Sequence, residues 1–202
     1  MGQLVVRWVV AGALTMGGLG SGHAQVAVGR VGHARGPDTA AVTVVEFMDF
    51  GCEACAWFAA HVFPALHDDY VATGRVRWVV VPFVLGPFRH AREAAAVGWC
   101  AAAQGHFWPV HDRLLARQAE WGARGPAEAT PALLAGLSAD AAALQSCLGA
   151  DETRSALREA DRLARRHRVR GTPTFFVNER RVRGALPVEA FRAVLDDALA
   201  RP

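Results

Sequence analysis

The sequence predicts an α/β fold whose sheet is interrupted by an inserted α-helical domain. Three observations carry this. Residues 41–83 read as strand, helix and strand, residues 88–168 turn alanine-rich and helical, and from Thr174 the strand pattern resumes before a closing helix. A chain of 202 residues is long enough for one domain with a sizeable core and such an insertion.

Ala41 to Phe47 is β-branched and apolar, the pattern of a buried strand. Glu53 to Tyr70 is helical, with Trp57, Phe58, Val62 and Leu66 at helical spacing and a kink expected at Pro64. Gly74 ends that turn. Val76 to Phe83 is a second, nearly continuous apolar strand, the kind covered on both faces. Strand, helix and strand over this distance imply a right-handed parallel crossover. Breaks at Gly105, Pro109, Gly122 to Pro126, Gly136 and Gly149 divide the following stretch into four or five helices. Thr174 to Val177 resumes the sheet and Arg181 to Arg183 is a short paired strand. Pro187 to Ala200 is an amphipathic helix with proline in its first turn. The expected division is therefore 41–86 for the first part of the sheet domain, 87–168 for the helical insertion and 169–202 for the second part. The sequence has no internal repeat.

Hydrophobic residues make up 52% of the chain and charged residues 20%, which excludes a disordered protein. All the cations other than histidine are arginine, a compositional trait. A net charge of +3 and a pI near 9.0 are mild. The densest basic run, Arg162, Arg165, Arg166, His167, Arg168 and Arg170, lacks interleaved aromatics. It reads as a solvated helix face, with no nucleic-acid partner. Arg7 precedes a short apolar core, Trp8 to Met16, and small residues lead to Gly22-His23-Ala24. Residues 1–24 read as a secretory signal peptide. The apolar run is too short and glycine-broken for a convincing span; an uncleaved anchor is the alternative. No cysteine lies near the cut, so a lipoprotein is not expected. Residues 25–40 read as a glycine-rich flexible leader. The expected location is periplasmic or secreted, without stable membrane insertion after cleavage, and there disulfides persist.

The chemistry centres on Cys52 and Cys55, a C-x-x-C pair at the mouth of a helix. Helix N-termini offer unpaired N–H groups and a positive dipole end, which stabilise a thiolate. A cysteine there has its pKa lowered from about 8.5 to roughly 3.5–7.5. Cys52 is read as the exposed nucleophile and Cys55, one turn on, as the resolving thiol. The competing readings are an inert staple and a zinc half-site, but a second C-x-x-C or suitable histidine pair is missing. Glu53 and Ala54 lie between the cysteines. The Glu53 carboxylate should raise the Cys52 pKa and moderate the disulfide's oxidising power. Downstream, Gly171-Thr172-Pro173-Thr174-Phe175-Phe176-Val177-Asn178 runs from a tight turn into an apolar strand. Spacing alone leaves Pro173 either cis or trans. Glu46, six residues before Cys52, is either buried or at a strand edge. His106 and His111 are not at i,i+4 spacing and flank core-like Phe107 and Trp108; His61 reads as a surface residue. No metal and no cofactor is expected.

Four cysteines allow three pairings. With Cys52 and Cys55 paired by spacing, Cys100 and Cys147 remain, as a disulfide or as two separate buried thiols.

Three stretches together resemble the thioredoxin superfamily, and within it the DsbA-like thiol:disulfide oxidoreductases of the bacterial envelope. They are Glu46 to Cys55, the helical stretch with Ala94-Ala95-Ala96, Cys100-Ala101 and Gln104-Gly105-His106-Phe107-Trp108, and Gly171 to Asn178. The resemblance runs from Ala41 to Leu199. It implies a thioredoxin-like fold with an inserted α-helical domain, and a cis Pro173 facing the cysteines. Thr172 would then present backbone groups to which a substrate strand adds. It also implies a buried Glu46 that relays a proton to or from Cys55, and a structural Cys100–Cys147 disulfide contributing about 4 kcal/mol. Strongly oxidising members carry histidine where this chain has Ala54. The implied activity is introduction of disulfides into unfolded or reduced secreted proteins, with a quinone-linked membrane reoxidant of the DsbB or VKOR type as partner. The alternatives are a periplasmic reductase or isomerase, or a thioredoxin-like copper-binding or chaperone module. For the copper reading, no histidine follows the C-x-x-C at a suggestive spacing.

Overall fold

The structure, a computed structural model, describes residues 26–201. The signal peptide expected over residues 1–24 lies outside the described residues. Five strands form one mixed sheet: β1 (His33–Arg35), β2 (Val42–Met48), β3 (Val76–Pro82), β4 (Thr174–Val177) and β5 (Arg180–Arg183), in the order β1-β3-β2-β4-β5. β2 and β3 pair in parallel from Val42 opposite Val76 to Met48 opposite Pro82. β4 runs antiparallel to β2, placing Glu46 opposite Phe175 and Phe47 opposite Thr174.

Both faces of the sheet are covered, which is why β2 and β3 read as continuous apolar runs. With a side-chain period of two, Val44 and Met48 enter one core while Val45 and Phe47 enter the other. Glu46 shares the first face, toward helix α1 (Glu53–His61). Under α1, Phe58 is 1% exposed, with ring centroids 4.7 Å from Phe175 and 5.5 Å from Phe191. Phe191 belongs to the closing helix, here α9 (Val188–Ala200), which Pro187 caps. This aromatic cluster holds the cysteine-bearing helix on the strand that follows Pro173.

The helix expected to run to Tyr70 with a kink at Pro64 divides into α1, α2 (Phe63–Leu66) and a π-helical turn, His67–Val71. Pro64 stands in the first turn of α2, where its missing N–H costs nothing, so it starts a new helix rather than kinking one.

Between β3 and β4 lie α3 (Ala91–Ala102), α4 (Phe107–Ala116), α5 (Gln118–Trp121), α6 (Pro126–Leu134), α7 (Ala141–Leu148) and α8 (Asp151–Arg166). Six helices replace the four or five expected. Pro109 does not break the chain, because it falls in the first turn of α4. The additional helix is the single turn α5, split from α4 at Arg117. Ala156, Ala160, Leu163 and Ala164 of α8 pack with Val45, Phe47 and Val79 on the second sheet face.

Within the segment expected to be a flexible leader over 25–40, the described residues 26–40 are ordered instead. Gly29–Val31 forms a 3-10 turn and β1 pairs antiparallel with β3, His33 opposite Val80. Val26 and Val31 are buried in the α8 core, and that apolar burial anchors the segment. Among the described residues no helix is long and apolar enough to cross a membrane.

Candidate active site

Cys52 is the N-cap of α1. Its backbone is extended (φ −82°, ψ 116°), and its carbonyl accepts from Cys55 N and Ala56 N, both at 3.1 Å. Cys52 N donates to Asp49 O at 3.0 Å, closing the turn that enters the helix. The preceding Gly51 is dictated by space: a Cβ there would lie 2.4 Å from Cβ of Phe88. The fold also brings in the distant proline motif. The Thr172–Pro173 bond is cis, and the Cys52 thiol donates to Thr172 O at 3.4 Å. This contact accounts for a departure from expectation, since Cys52 is 5% exposed and not an open nucleophile.

The two cysteines are free thiols with opposite tendencies. As a thiol Cys52 makes no cap hydrogen bond. Its pKa is nevertheless lowered from 9.0 to about 6. The Cys55 thiol's hydrogen bond is the main cause, and the N–H groups of Cys55 and Ala54 add to it, against the opposing effect of burial. Cys55 is 1% exposed; burial first, then its bond to Cys52 and the charges of Cys52 and Glu46, hold it protonated far above the ordinary thiol range. Glu53 and Ala54 are exposed at the start of α1.

Glu46 is buried, at 6% exposed, and its Oε2 accepts from Trp78 Nε1 at 2.9 Å. Burial raises its pKa from 4.5 to about 7; the Trp78 bond opposes this and the charge of Cys52 adds to it. A carboxyl in this state holds or releases a proton near neutral pH.

Sequence reading missed two supports. Asp49 is fully buried, and its carboxylate accepts from Gly51 N at 2.9 Å and Leu85 N at 2.8 Å. Burial raises its pKa, against the pull of those two N–H groups. It joins the cysteine turn to the loop after β3. Gln118, on α5, donates from Nε2 to Phe50 O and to Cys52 O, the latter at 3.0 Å. Asp49 had a signal, a carboxylate three residues before Cys52 among apolar neighbours. Gln118 had none. A cleft of about 540 Å³ opens beside the site, lined by Gly51, Glu53, Phe88, Leu115, Gln118 and Trp121.

The second cysteine pair lies apart. Cys100 on α3 and Cys147 on α7 form a disulfide, S–S 2.02 Å and Cα–Cα 5.8 Å. Thr153 Oγ1 donates to Cys147 O at 2.7 Å beside it. His111 is buried, its Nδ1 2.8 Å from Asp112 Oδ1. Among the described residues no three His, Cys, Asp or Glu side chains gather to hold a metal ion.

A family model described as Thioredoxin matches residues 30–197. The Na(+)/H(+) antiporter NhaA 1 of Salinispora arenicola is 37% identical over 175 residues, covering 83% of this chain and 25% of that protein. The chain thus spans about a quarter of the length of such antiporter relatives. Disulfide bond formation protein D of Bacillus subtilis is 27% identical, over 81% of this chain and 75% of that protein. Among solved structures, oxidised BdbD of Bacillus subtilis superposes with TM-score 0.75 at 23% identity, covering 83% of this chain and 92% of that one. The alpha-DsbA1 of Wolbachia pipientis does so with TM-score 0.72 at 17% identity, over 84% and 92%. This chain belongs to the thioredoxin family, and its fold is that of the BdbD and DsbA structures.

Proposed function

We propose that this protein is an exported, periplasmic or secreted oxidoreductase that passes a Cys52–Cys55 disulfide to reduced secreted proteins. The observation that carries the reading is the asymmetry of one thiol pair. Cys52 is easily ionised at a helix N-cap against a cis-proline turn, while Cys55 is held protonated behind it.

In the oxidised enzyme a substrate thiolate attacks Cys52 Sγ, breaking the Cys52–Cys55 bond and forming a mixed disulfide. The leaving Cys55 sulfur takes a proton from Glu46, whose pKa near 7 suits that transfer. A second substrate thiolate then attacks the substrate sulfur of the mixed disulfide and releases Cys52 as a thiolate. The substrate loses two electrons and the enzyme gains them, to be removed by a quinone-linked membrane partner. During the reaction the Thr172 backbone beside cis Pro173 is the edge to which an extended substrate adds. The Thr172 hydroxyl is buried without a hydrogen-bond partner, so it is free to turn toward the thiolate once Cys52 stops donating to the carbonyl.

A stabilised thiolate favours the reduced enzyme and makes its disulfide more oxidising. The Cys52 pKa near 6 lies between about 7 for thioredoxin and about 3.5 for the strongest oxidant of this kind. The expected potential is therefore intermediate, and Ala54 together with the exposed charge of Glu53 keeps a reductase or isomerase role as the second reading. Equilibration in glutathione buffers decides: a potential toward about −120 mV marks a disulfide donor, and one near about −270 mV a reductase. The copper-carrier reading is tested by adding Cu(I) and looking for thiolate charge-transfer absorbance that vanishes in Cys52→Ser.

A further inference from the structure

Residues 162–183 hold eight arginines against one acid, Glu179. That segment carries +7 while the whole chain carries +3, so the rest of the protein is net −4. Charge is therefore strongly separated. Five of the arginines, Arg162, Arg165, Arg166, Arg168 and Arg170, lie on the last turns of α8 and just beyond. The other three, Arg180, Arg181 and Arg183, lie on the edge strand β5. All eight are exposed.

Tertiary structure turns Arg181 and Arg183 to the α8 side of the sheet, where they join the arginines of α8 in one face, while Arg180 points to the α9 side. Arg181 Nη2 donates to His167 O at 2.6 Å, tying β5 to the end of α8, and its guanidinium lies 5.0 Å from the centre of the Phe176 ring. The face also reaches the redox site: Arg183 pairs in register with Thr174, and Gly184 N donates to Pro173 O at 2.8 Å. Among the described residues only Arg180 of the eight makes an ion pair, with Asp197 at 3.4 Å.

Two ordinary explanations cover part of this. Arg165 and Arg166 complement the negative end of the α8 dipole. Charges on β5 protect a sheet edge from pairing. Either sign protects an edge, however, and here every charged residue on the strand is positive. Arg168 takes a left-handed backbone, φ 51°, at a helix end where glycine is the usual residue. A cation is kept there at a conformational disadvantage.

We propose that this face docks on an anionic phospholipid surface and holds the Thr172–Pro173 edge of the redox site toward the membrane. This departs from the expectation of a merely solvated helix face. It rests on the exported oxidoreductase reading, which places the reoxidant in that membrane. Guanidinium groups pair with phosphodiesters in a two-pronged geometry. A cleft of about 290 Å³ on the flank, lined by Val28, Glu159, Arg162 and Arg166, has room for a headgroup phosphate. Nucleic acid fits less well. Among the described residues the large exposed hydrophobic side chain is Trp57 on α1, so the arginine face offers no stacking platform for bases.

The test is binding of the full chain to phosphatidylcholine vesicles with and without phosphatidylglycerol, at low and high salt. Each arginine near an anionic surface adds about fivefold in partitioning. The triple variant Arg165→Glu, Arg166→Glu, Arg183→Glu is expected to lose at least about 100-fold, and high salt to release the wild type. The matching Arg→Gln variant, which perturbs the fold less, should fall between. Equal binding to neutral vesicles, or binding insensitive to salt and to the substitutions, would overturn the proposal. So would binding to a DNA duplex or polyglutamate with the anionic vesicles left untouched. Disulfide exchange measured without vesicles separates the two readings: if the triple variant exchanges normally, loss of vesicle binding speaks only to docking. If the wild type binds vesicles but exchanges no disulfides, the oxidoreductase reading fails instead.

Discussion

The protein contains the same functional group in two settings. Cys52 and Cys55 are three residues apart at a helix N-cap, beside a cis-proline turn and a buried carboxyl. Cys100 and Cys147 are 47 residues apart on two packed helices, beside a threonine. In the first setting, a hydrogen bond from Cys55 makes Cys52 ionisable, while burial above all holds Cys55 protonated. In the second, neither an N-cap nor a proline turn stands ready to stabilise a thiolate, and the bond ties α3 to α7. Reactivity follows what surrounds the sulfur atoms.

The sharpest way to break this comparison is to exchange the losses. Cys52→Ser should abolish disulfide exchange, read by oxidative refolding of a reduced substrate, while leaving the fold intact. Replacing Cys100 and Cys147 together by serine should lower stability by about 4 kcal/mol, because the loop it closes is long, and leave exchange at the wild-type rate. Urea unfolding and the same refolding assay measure both. If the second pair also carries exchange, the division of labour fails.

Glu46→Gln should slow exchange roughly 100-fold by removing the proton donor for Cys55, and erase a rate inflection near pH 7. Its effect on stability has a definite sign. The folded pKa of Glu46 is raised above the unfolded value, so its contribution is fully present below pH 4.5 and is lost as pH rises through about 7. The glutamine variant should lack that slope in urea titrations across the window. For the reduced protein Cys52 acts in the opposite sense. Its folded pKa is depressed from 9.0 to about 6, so stability is present above pH 9 and lost as pH falls through about 6. Ultraviolet thiolate absorbance should titrate there, and the oxidised protein should lack the transition.

The smallest expected effect is at Gln118. Gln118→Ala leaves the Phe50 carbonyl without this donor, while Cys52 O keeps its two helix bonds. A cost of about 1–2 kcal/mol and a severalfold change in alkylation rate of Cys52 are expected. An unchanged Cys52 would show that the turn is held without help from α5.

The legible parts were those written in short range. The β2 run, the C-x-x-C at the start of α1, and the Thr172-Pro173 turn into β4 each have local causes: β-branched apolar runs, helix entry, and proline before a strand. Elements misread were those decided by neighbours. Residues 29–35 are polar and glycine-rich, yet they complete the sheet because β3 had an open edge and α8 an apolar face for Val31. Pro109 looked like a breaker, but its missing N–H falls where a helix has none to satisfy.

By itself the sequence determined most of the elements from β2 onward, their order and the C-x-x-C at a helix start, since propensity, period and the spacing of two cysteines are local properties. Only the tertiary structure decided that Cys52 is covered, that Glu46 is buried against Trp78, that Gln118 reaches the cysteine turn, and that Arg181 and Arg183 join the arginines of α8 in one face. Each of those depends on contacts between residues far apart in the chain. Burial and proximity, which set pKa and charge density, exist only once the chain has closed.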